Sequence, residues 1–137
     1  MPYASFEDLD VWKRSCQLAE RLYQSLRESR DHGLRGQMTR AAVSVPSNIA
    51  EGHERGTARE FVRFLNIAKG SAAELRTQLY IAKRIGALES DSANEMISEC
   101  KEIGAMLQGL IRSISLQLGE TLEDPGFTEN LNLKTEN

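Results

Sequence analysis

Residues 40–75, RAAVSVPSNIAEGHERGTAREFVRFLNIAKGSAAEL, decide the fold, because two helical patterns meet there across a short corner. Before the corner, apolar residues recur three and four positions apart, which places them on one face of an α-helix. This first stripe consists of Leu34, Met38, Ala41, Ala42, Val45 and Ile49. Its phase does not change at Pro46. We therefore predict a single helix that is kinked at this proline, which leaves the carbonyl of Ala42 without an N–H partner.

The corner separates this stripe from a longer one. Gly52 is predicted to end the first helix as a left-handed cap, because glycine adopts a positive φ without a Cβ clash. Thr57 and Glu60 match a capping box, in which each side chain accepts a hydrogen bond from a backbone N–H of the first turn, so a new helix is predicted to begin at Thr57. Its stripe continues to about Ile85 and contains Phe61, Phe64, Leu65, Ala68, Ala72, Leu75, Leu79 and Ala82.

Two more amphipathic patterns flank this central pair. One covers residues 9–26, and the other begins with Ser90 or Ser92 as its N-cap and continues to Leu118 without a proline. No segment shows the alternation of a strand. Four amphipathic helices with short links bury their stripes best in an all-α, antiparallel up-down-up-down four-helix bundle. We assign the bundle to residues 1–118 and an acidic C-terminal tail to residues 119–137.

Composition excludes several classes of protein. The 137 residues are 40% hydrophobic and 27% charged, which is typical of one soluble domain. No apolar run is long enough to cross a bilayer and the N-terminus has no signal-peptide pattern, so we expect no membrane association and a cytoplasmic location. Cys16 and Cys100 fall on apolar stripes, and we predict buried thiols rather than a disulfide or a metal pair.

Histidine is scarce, which limits the chemistry. A four-helix bundle can hold a di-iron site built from Glu-x-x-His motifs, but this sequence has none, and its two histidines, His32 and His53, fall near predicted turns. We therefore expect no metal and no cofactor. Neither cysteine has a recognisable neighbouring base, so we assign no catalytic residue and expect no enzymatic activity.

One short motif has a competing interpretation. Residues 41–52, AAVSVPSNIAEG, resemble the second half of a helix-turn-helix, in which a turn precedes a recognition helix. No glycine stands at the expected turn near Val43, and the apolar phase passes through it unbroken. A continuous helix is favoured, and a helix-turn-helix is the alternative.

Polar residues lie beside the first stripe. We predict a structural polar network that consists of Arg40, Asn48, Glu51 and Glu74, with Arg40 paired to Glu74. A binding surface is the alternative role for these residues.

Charge is distributed unevenly along the chain. The net charge is −3, yet residues 35–84 contain nine Lys or Arg against four acids, a local balance of +5. Arginine suits phosphate because its planar fork donates two hydrogen bonds at once. The candidate nucleic-acid-binding residues are Arg55, Arg59, Arg63, Lys69, Arg76 and Lys83. The alternative is an ordinary solvated helix face. Apolar residues outside the stripe, Val62, Ile67, Tyr80 and Ile81, predict a homo-oligomer.

Four motifs together resemble a known family. They are FEDLDVW at 6–12, QMTRAAVSVPSNIAEG at 37–52, REFVRFLNIAKGSAAELRTQLYIAKRIGAL at 59–88 and MLQGLIRSI at 106–114. In order and spacing, residues 6–115 are similar to the four-helix-bundle proteins encoded in intervening sequences of bacterial 23S ribosomal RNA genes. A relative of that family is the accessory variability protein of diversity-generating retroelements. This resemblance implies a pentamer with a basic surface that binds nucleic acid and a partner reverse transcriptase, without enzymatic activity.

The leading hypothesis is a non-catalytic, homo-oligomeric bundle that binds RNA or DNA electrostatically through residues 55–83, in a role associated with ribosomal RNA or with a retroelement. The alternative hypothesis is an assembly or adaptor protein that binds only other proteins.

Overall fold

The structure, a computed structural model, describes residues 4–119, which form one short 3-10 turn and four α-helices. The 3-10 turn is Phe6–Asp8, and the helices are α1 Asp10–Ser25, α2 His32–Glu54, α3 Ala58–Arg84 and α4 Ser90–Gln117. No strand occurs between residues 4 and 119, which confirms the all-α prediction. The predicted acidic tail, apart from Gly119, lies outside the described residues.

The four helices form a closed ring in which each packs against its two neighbours. Helix α1 contacts α2 and α4, and α3 contacts the same two helices, whereas the Cα atoms of the diagonal pairs stay more than 8 Å apart. Links of only a few residues make consecutive helices antiparallel, so the predicted four-helix bundle is confirmed. The largest fully buried side chains are Phe61, Leu22, Leu26, Met38, Ile49, Leu65, Leu75, Leu79, Met96, Ile103, Leu107 and Ile111.

Helix α2 runs without interruption through Pro46, which is buried inside it. The prediction of a single helix is therefore confirmed. The helix-turn-helix alternative is excluded, because the residues around Val43 are helical and form no turn. The kink at Pro46 stays a prediction.

Two of the predicted helix ends are wrong. Gly52 does not cap α2 but lies buried within it, and the left-handed glycine of the corner is Gly56, with φ 83°. Helix α4 has Glu89 as its N-cap instead of a serine, and the Glu89 side chain accepts a hydrogen bond from the N–H of Asp91. At the corner a second glycine takes the left-handed position, and at α4 the Glu89 carboxylate accepts the hydrogen bond that a serine hydroxyl was predicted to accept.

The start of α3 agrees with the sequence in part. Thr57 Oγ1 accepts a hydrogen bond from the N–H of Glu60 at 3.2 Å, as a capping box requires. The Glu60 carboxylate does not return to the Thr57 N–H. It accepts a hydrogen bond from Arg63 Nε at 2.6 Å instead, because a charged donor competes well for a carboxylate.

A bidentate ion pair joins α1 to α4. Arg14 donates from Nε to Glu99 Oε2 at 2.9 Å and from Nη2 to Glu99 Oε1 at 2.5 Å. Arg21 and Glu95 form a second ion pair further along the same two helices. These pairs join α1 to α4, two helices that approach each other at fewer positions than α2 and α3 do.

We expect Glu99→Gln to lower stability in a pH-dependent way. The hydrogen bond from Arg14 lowers the pKa of Glu99 below its ordinary value of 4.5, so the folded state favours the ionised carboxylate. The stabilisation is complete above that ordinary value and is lost as the pH falls through the lower, folded-state pKa. Because the two side chains are 36% and 29% exposed, solvent screens the pair, and we expect a loss of about 1 kcal/mol at neutral pH.

Urea unfolding of the variant and the wild type at neutral pH and in acid measures this contribution. The difference between them should shrink in acid, where Glu99 is protonated in both the folded and the unfolded state. Glu20→Gln is the matched control, since Glu20 is exposed on α1 and has no ion-pair partner among residues 4–119. A difference of the same size at both pH values for Glu99→Gln would contradict this account of the pair.

Candidate nucleic-acid interface

Helix α3 presents three of the predicted cations along one side. Lys69, Arg76 and Lys83 are seven residues apart, which is close to two helical turns, so they share one side at intervals of about 10 Å. All three are half-buried, because α3 buries the adjacent stripe of its surface in the core. The same edge of α3 faces α4, and a groove opens between the two helices.

This feature, here called the α3–α4 groove, has a cavity volume of about 240 Å³. Cations from both helices line it: Lys69 and Arg76 from α3 and Lys101 from α4. The remaining lining residues are Ala72, Ala73, Cys100, Gly104 and Ala105, so the groove has cationic walls and a surface of small side chains between them. Among the residues that the structure describes, no carboxylate lines the groove.

Two of the basic side chains on this edge of α3 donate hydrogen bonds to amide oxygens. Lys69 Nζ donates to Gln108 Oε1 at 2.6 Å, and further along the edge Lys83 Nζ donates to Asn94 Oδ1 at 2.8 Å. An amide oxygen orients an ammonium group without cancelling its charge. Arg76 and Lys101 have no hydrogen bond or ion pair through their side chains with any residue from 4 to 119. The described residues that line the groove include no carboxylate, so the lining itself carries a positive charge.

Cys100 adds no negative charge to the groove. Burial raises the pKa of its thiol to about 12, so the group is protonated at neutral pH. The prediction of a buried thiol is confirmed for Cys100, whereas Cys16 is half-buried, and both cysteines are free.

The other three predicted cations lie at the corner between α2 and α3. The guanidinium carbons of Arg55 and Arg63 lie 5.0 Å and 4.6 Å from the centroid of the Phe64 ring. Arg55 pairs with Glu51 at 3.1 Å, Arg63 pairs with Glu60, and Arg59 is exposed. The hydrogen bond from Arg63 lowers the pKa of Glu60. The corner cations Arg55 and Arg63 therefore each stand beside a carboxylate.

The structure thus divides the six predicted residues into two groups and adds a seventh cation. Sequence reasoning missed Lys101, which lies in a segment that contains two acids, SECKEIGA, and carries no local basic signal. The spacing of Lys101, Gly104 and Ala105 on one helical face was the available clue, because small residues at that spacing allow a neighbouring helix to approach.

The predicted polar network does not form as a unit. Arg40 is exposed and makes no ion pair with Glu74, which is also exposed and accepts a hydrogen bond from Gln78 at 3.4 Å. Asn48 donates to the Ser44 carbonyl at 2.8 Å and to Ser44 Oγ at 2.9 Å. The predicted pairing of Arg40 with Glu74 is wrong because it assumed a buried arginine, which needs a carboxylate partner. Arg40 is exposed, and water solvates its charge.

The histidines and acids of the described residues form no further candidate site. Within residues 4–119 there is no group of three or more His, Cys, Asp or Glu side chains placed to hold a metal ion. His53 lies between the rings of Phe6 and Phe61, at centroid distances of 6.3 Å and 5.6 Å, and thus packs in an aromatic cluster. None of the described helices has the length and apolar character needed to span a membrane.

The fold and the groove define a class of protein, namely a small antiparallel four-helix bundle with a basic face on its third and fourth helices. The chain belongs to the 23S rRNA-intervening sequence protein family, whose model matches residues 7–109. The resemblance at the level of this family is therefore confirmed. The narrower relation to the retroelement accessory protein stays a prediction.

A solved structure has a similar fold. It is a crystal structure of a protein with unknown function from the S23 ribosomal protein family of Bacteroides thetaiotaomicron, with a TM-score of 0.70 and 24% sequence identity. The alignment covers 74% of this chain and 98% of that chain. At this identity the similarity establishes the fold alone. No match was found among curated proteins.

Proposed function

We propose that the protein is a non-catalytic, homo-oligomeric bundle of the cytoplasm that binds RNA or DNA through the α3–α4 groove and the cations beside it. The observation that supports this most is the presence of Lys69, Arg76 and Lys101, from two helices, around one groove that no carboxylate of the described residues lines. A net charge of −3 repels polyanions on average, but a local cationic surface outweighs it at short range because salt screens distant charges within about 10 Å.

The binding is electrostatic and largely independent of base sequence. Lysine and arginine side chains contact phosphate oxygens, and such contacts position a nucleic acid without reading its bases. The corner residues Arg55, Arg59 and Arg63 extend the surface, although their neighbouring carboxylates reduce their contribution. The family to which the chain belongs favours a ligand related to ribosomal RNA. The resemblance to the retroelement accessory protein adds, as a narrower proposal, a pentamer that also binds a reverse transcriptase.

Neutralising variants test the proposal. We expect the triple variant Lys69→Gln, Arg76→Gln and Lys101→Gln to bind an RNA duplex at least about 100-fold more weakly at low salt, because each lost charged contact costs roughly fivefold to tenfold. The matched control, Lys13→Gln, Arg27→Gln and Arg30→Gln, removes the same charge from exposed positions on and after α1. Fluorescence anisotropy measures both affinities. Equal losses in the two variants would contradict binding through the groove.

A second candidate function is a protein-only assembly or adaptor module. Its support is the set of apolar side chains that α3 exposes, Ile67, Tyr80 and Ile81, with exposed fractions of 42%, 41% and 48%. Such side chains suit a contact with another protein, most simply a second copy of this chain. Light scattering together with RNA titration separates the two functions. A defined oligomer that binds no nucleic acid at low salt would favour the adaptor.

A further inference from the structure

We propose that the α3–α4 groove seats a single phosphate group of the nucleic acid, which Arg76 and Lys101 contact from opposite walls. This inference rests on the proposed function and goes further, because it replaces a diffuse cationic face with one defined anion site between two helices. Diffuse electrostatic binding of a polyanion requires only cations on the surface. A phosphate that binds within the groove also requires space between the cations.

The shape of the groove provides that space. Gly104 has no side chain, and a Cβ built on it would meet no atom within 4 Å, so the α4 wall is open at this point. Ala73 and Ala105 add only methyl groups. The volume of about 240 Å³ lies below the roughly 300–1,000 Å³ of pockets that hold drug-sized ligands, but is several times the roughly 30 Å³ that one water occupies in the liquid. The groove therefore has room for a phosphate group with a few waters.

The chemistry of the walls also fits an anion. Arg76 is half-buried, and within residues 4–119 neither it nor Lys101 has a carboxylate partner. A half-buried guanidinium loses part of its hydration, and an anion that enters the groove restores the lost hydrogen bonds. Lys69 is already oriented by Gln108 and adds positive charge at one end. Since Cys100 stays a neutral thiol, no described residue of the lining repels a phosphate.

The test fills the groove without changing any charge. We expect Gly104→Leu to weaken the binding of an RNA duplex by about tenfold at low salt, because the new side chain occupies the place of the phosphate. Gly109→Leu is the matched control. Gly109 lies on the same helix and also has open space around it, but it lines a different groove, with Asp8 and Leu9. We expect the control to bind within about twofold of the wild type, because the anion site is intact.

A second pair of variants keeps the inference testable if Gly104→Leu does not fold. Lys101→Gln removes one positive charge from the groove. Arg112→Gln removes one positive charge from an exposed position on the same face of α4, about three turns further along. A seated phosphate predicts a loss of about tenfold for Lys101→Gln and a clearly smaller loss for Arg112→Gln. Equal losses would overturn the inference, since they indicate a diffuse surface.

The outcomes separate this inference from the proposed function. If the wild type binds and Gly104→Leu folds and binds equally well, the phosphate seat is wrong and electrostatic binding stands. If the wild type binds no RNA or DNA at low salt, both are wrong. Oligonucleotides with and without a 5′-phosphate identify the source of the group. If Gly104→Leu weakens the binding of both oligonucleotides about tenfold, the bound group is a backbone phosphodiester. If it weakens only the binding of the 5′-phosphorylated oligonucleotide, the bound group is a terminal phosphate, which carries up to twice the charge of a phosphodiester.

Discussion

Replacing Gly52 with alanine is expected to destabilise the protein by about 2 kcal/mol, although alanine forms helices better than glycine. Gly52 lies inside α2 against the start of α3. A Cβ on it would stand 2.5 Å from Phe64 Cβ and 3.3 Å from Phe61 Cδ1. The nearer atom is bonded directly to the α3 backbone, so no rotamer change moves it away. Helices α2 and α3 would have to separate.

The expected size follows from two opposing effects. Alanine in a helix interior is favoured over glycine by about 1 kcal/mol. Overpacking a tight contact typically costs about 1–3 kcal/mol, and here the cost lies at the upper end of that range because the contact is between atoms bonded to the main chains of two long helices. The contact between α2 and α3 also places the corner and the first turn of α3, so loss of the close approach disturbs the position of Arg55 and Arg63 around Phe64.

Chemical denaturation of two alanine variants measures the effect. Gly70→Ala is the matched control, because Gly70 lies inside α3, is exposed, and has nothing within 4 Å of an added Cβ. This control should be more stable than the wild type by up to about 1 kcal/mol, as helix propensity alone requires. The same substitution thus has opposite signs at two helical glycines. A neutral or stabilising Gly52→Ala would contradict the close contact between the helices.

Gly52 also illustrates what the sequence could and could not predict. The helices and their buried faces followed from periodicity, since a core stripe is a local property of three or four turns. The continuity of α2 through Pro46 followed from the same signal. The role of Gly52 did not, because a glycine near a helix end reads as a cap, and its contact with Phe64 depends on how two helices cross.

The candidate site was predictable in part for a similar reason. Lys69, Arg76 and Lys83 share one side of α3, and their seven-residue spacing is visible in the sequence. Lys101 joins them only through the packing of α4 against α3, so no local signal marks it. The ion pair of Arg14 and Glu99 joins residues far apart in the chain, and depends in the same way on the rotation of α1 against α4.

The affinity of the protein for nucleic acid is expected to fall steeply with salt. Lys69, Arg76, Lys83 and Lys101 together bring about four positive charges per chain to the duplex, and each charge that replaces a bound counterion contributes about −0.9 to the slope of log K against log salt. The slope is therefore about −3.6, and the affinity falls about 100-fold or more between about 50 and about 200 mM salt. Additional subunits on the same duplex make the slope steeper, because each one releases further counterions.

Titration of a fluorescent duplex with wild-type protein at these two salt concentrations tests the central claim most directly. The account predicts tight binding at the lower concentration, a loss of about 100-fold at the higher one, and similar affinities for duplexes of different sequence. Absence of binding at the lower concentration, or an affinity that salt does not change, would contradict it.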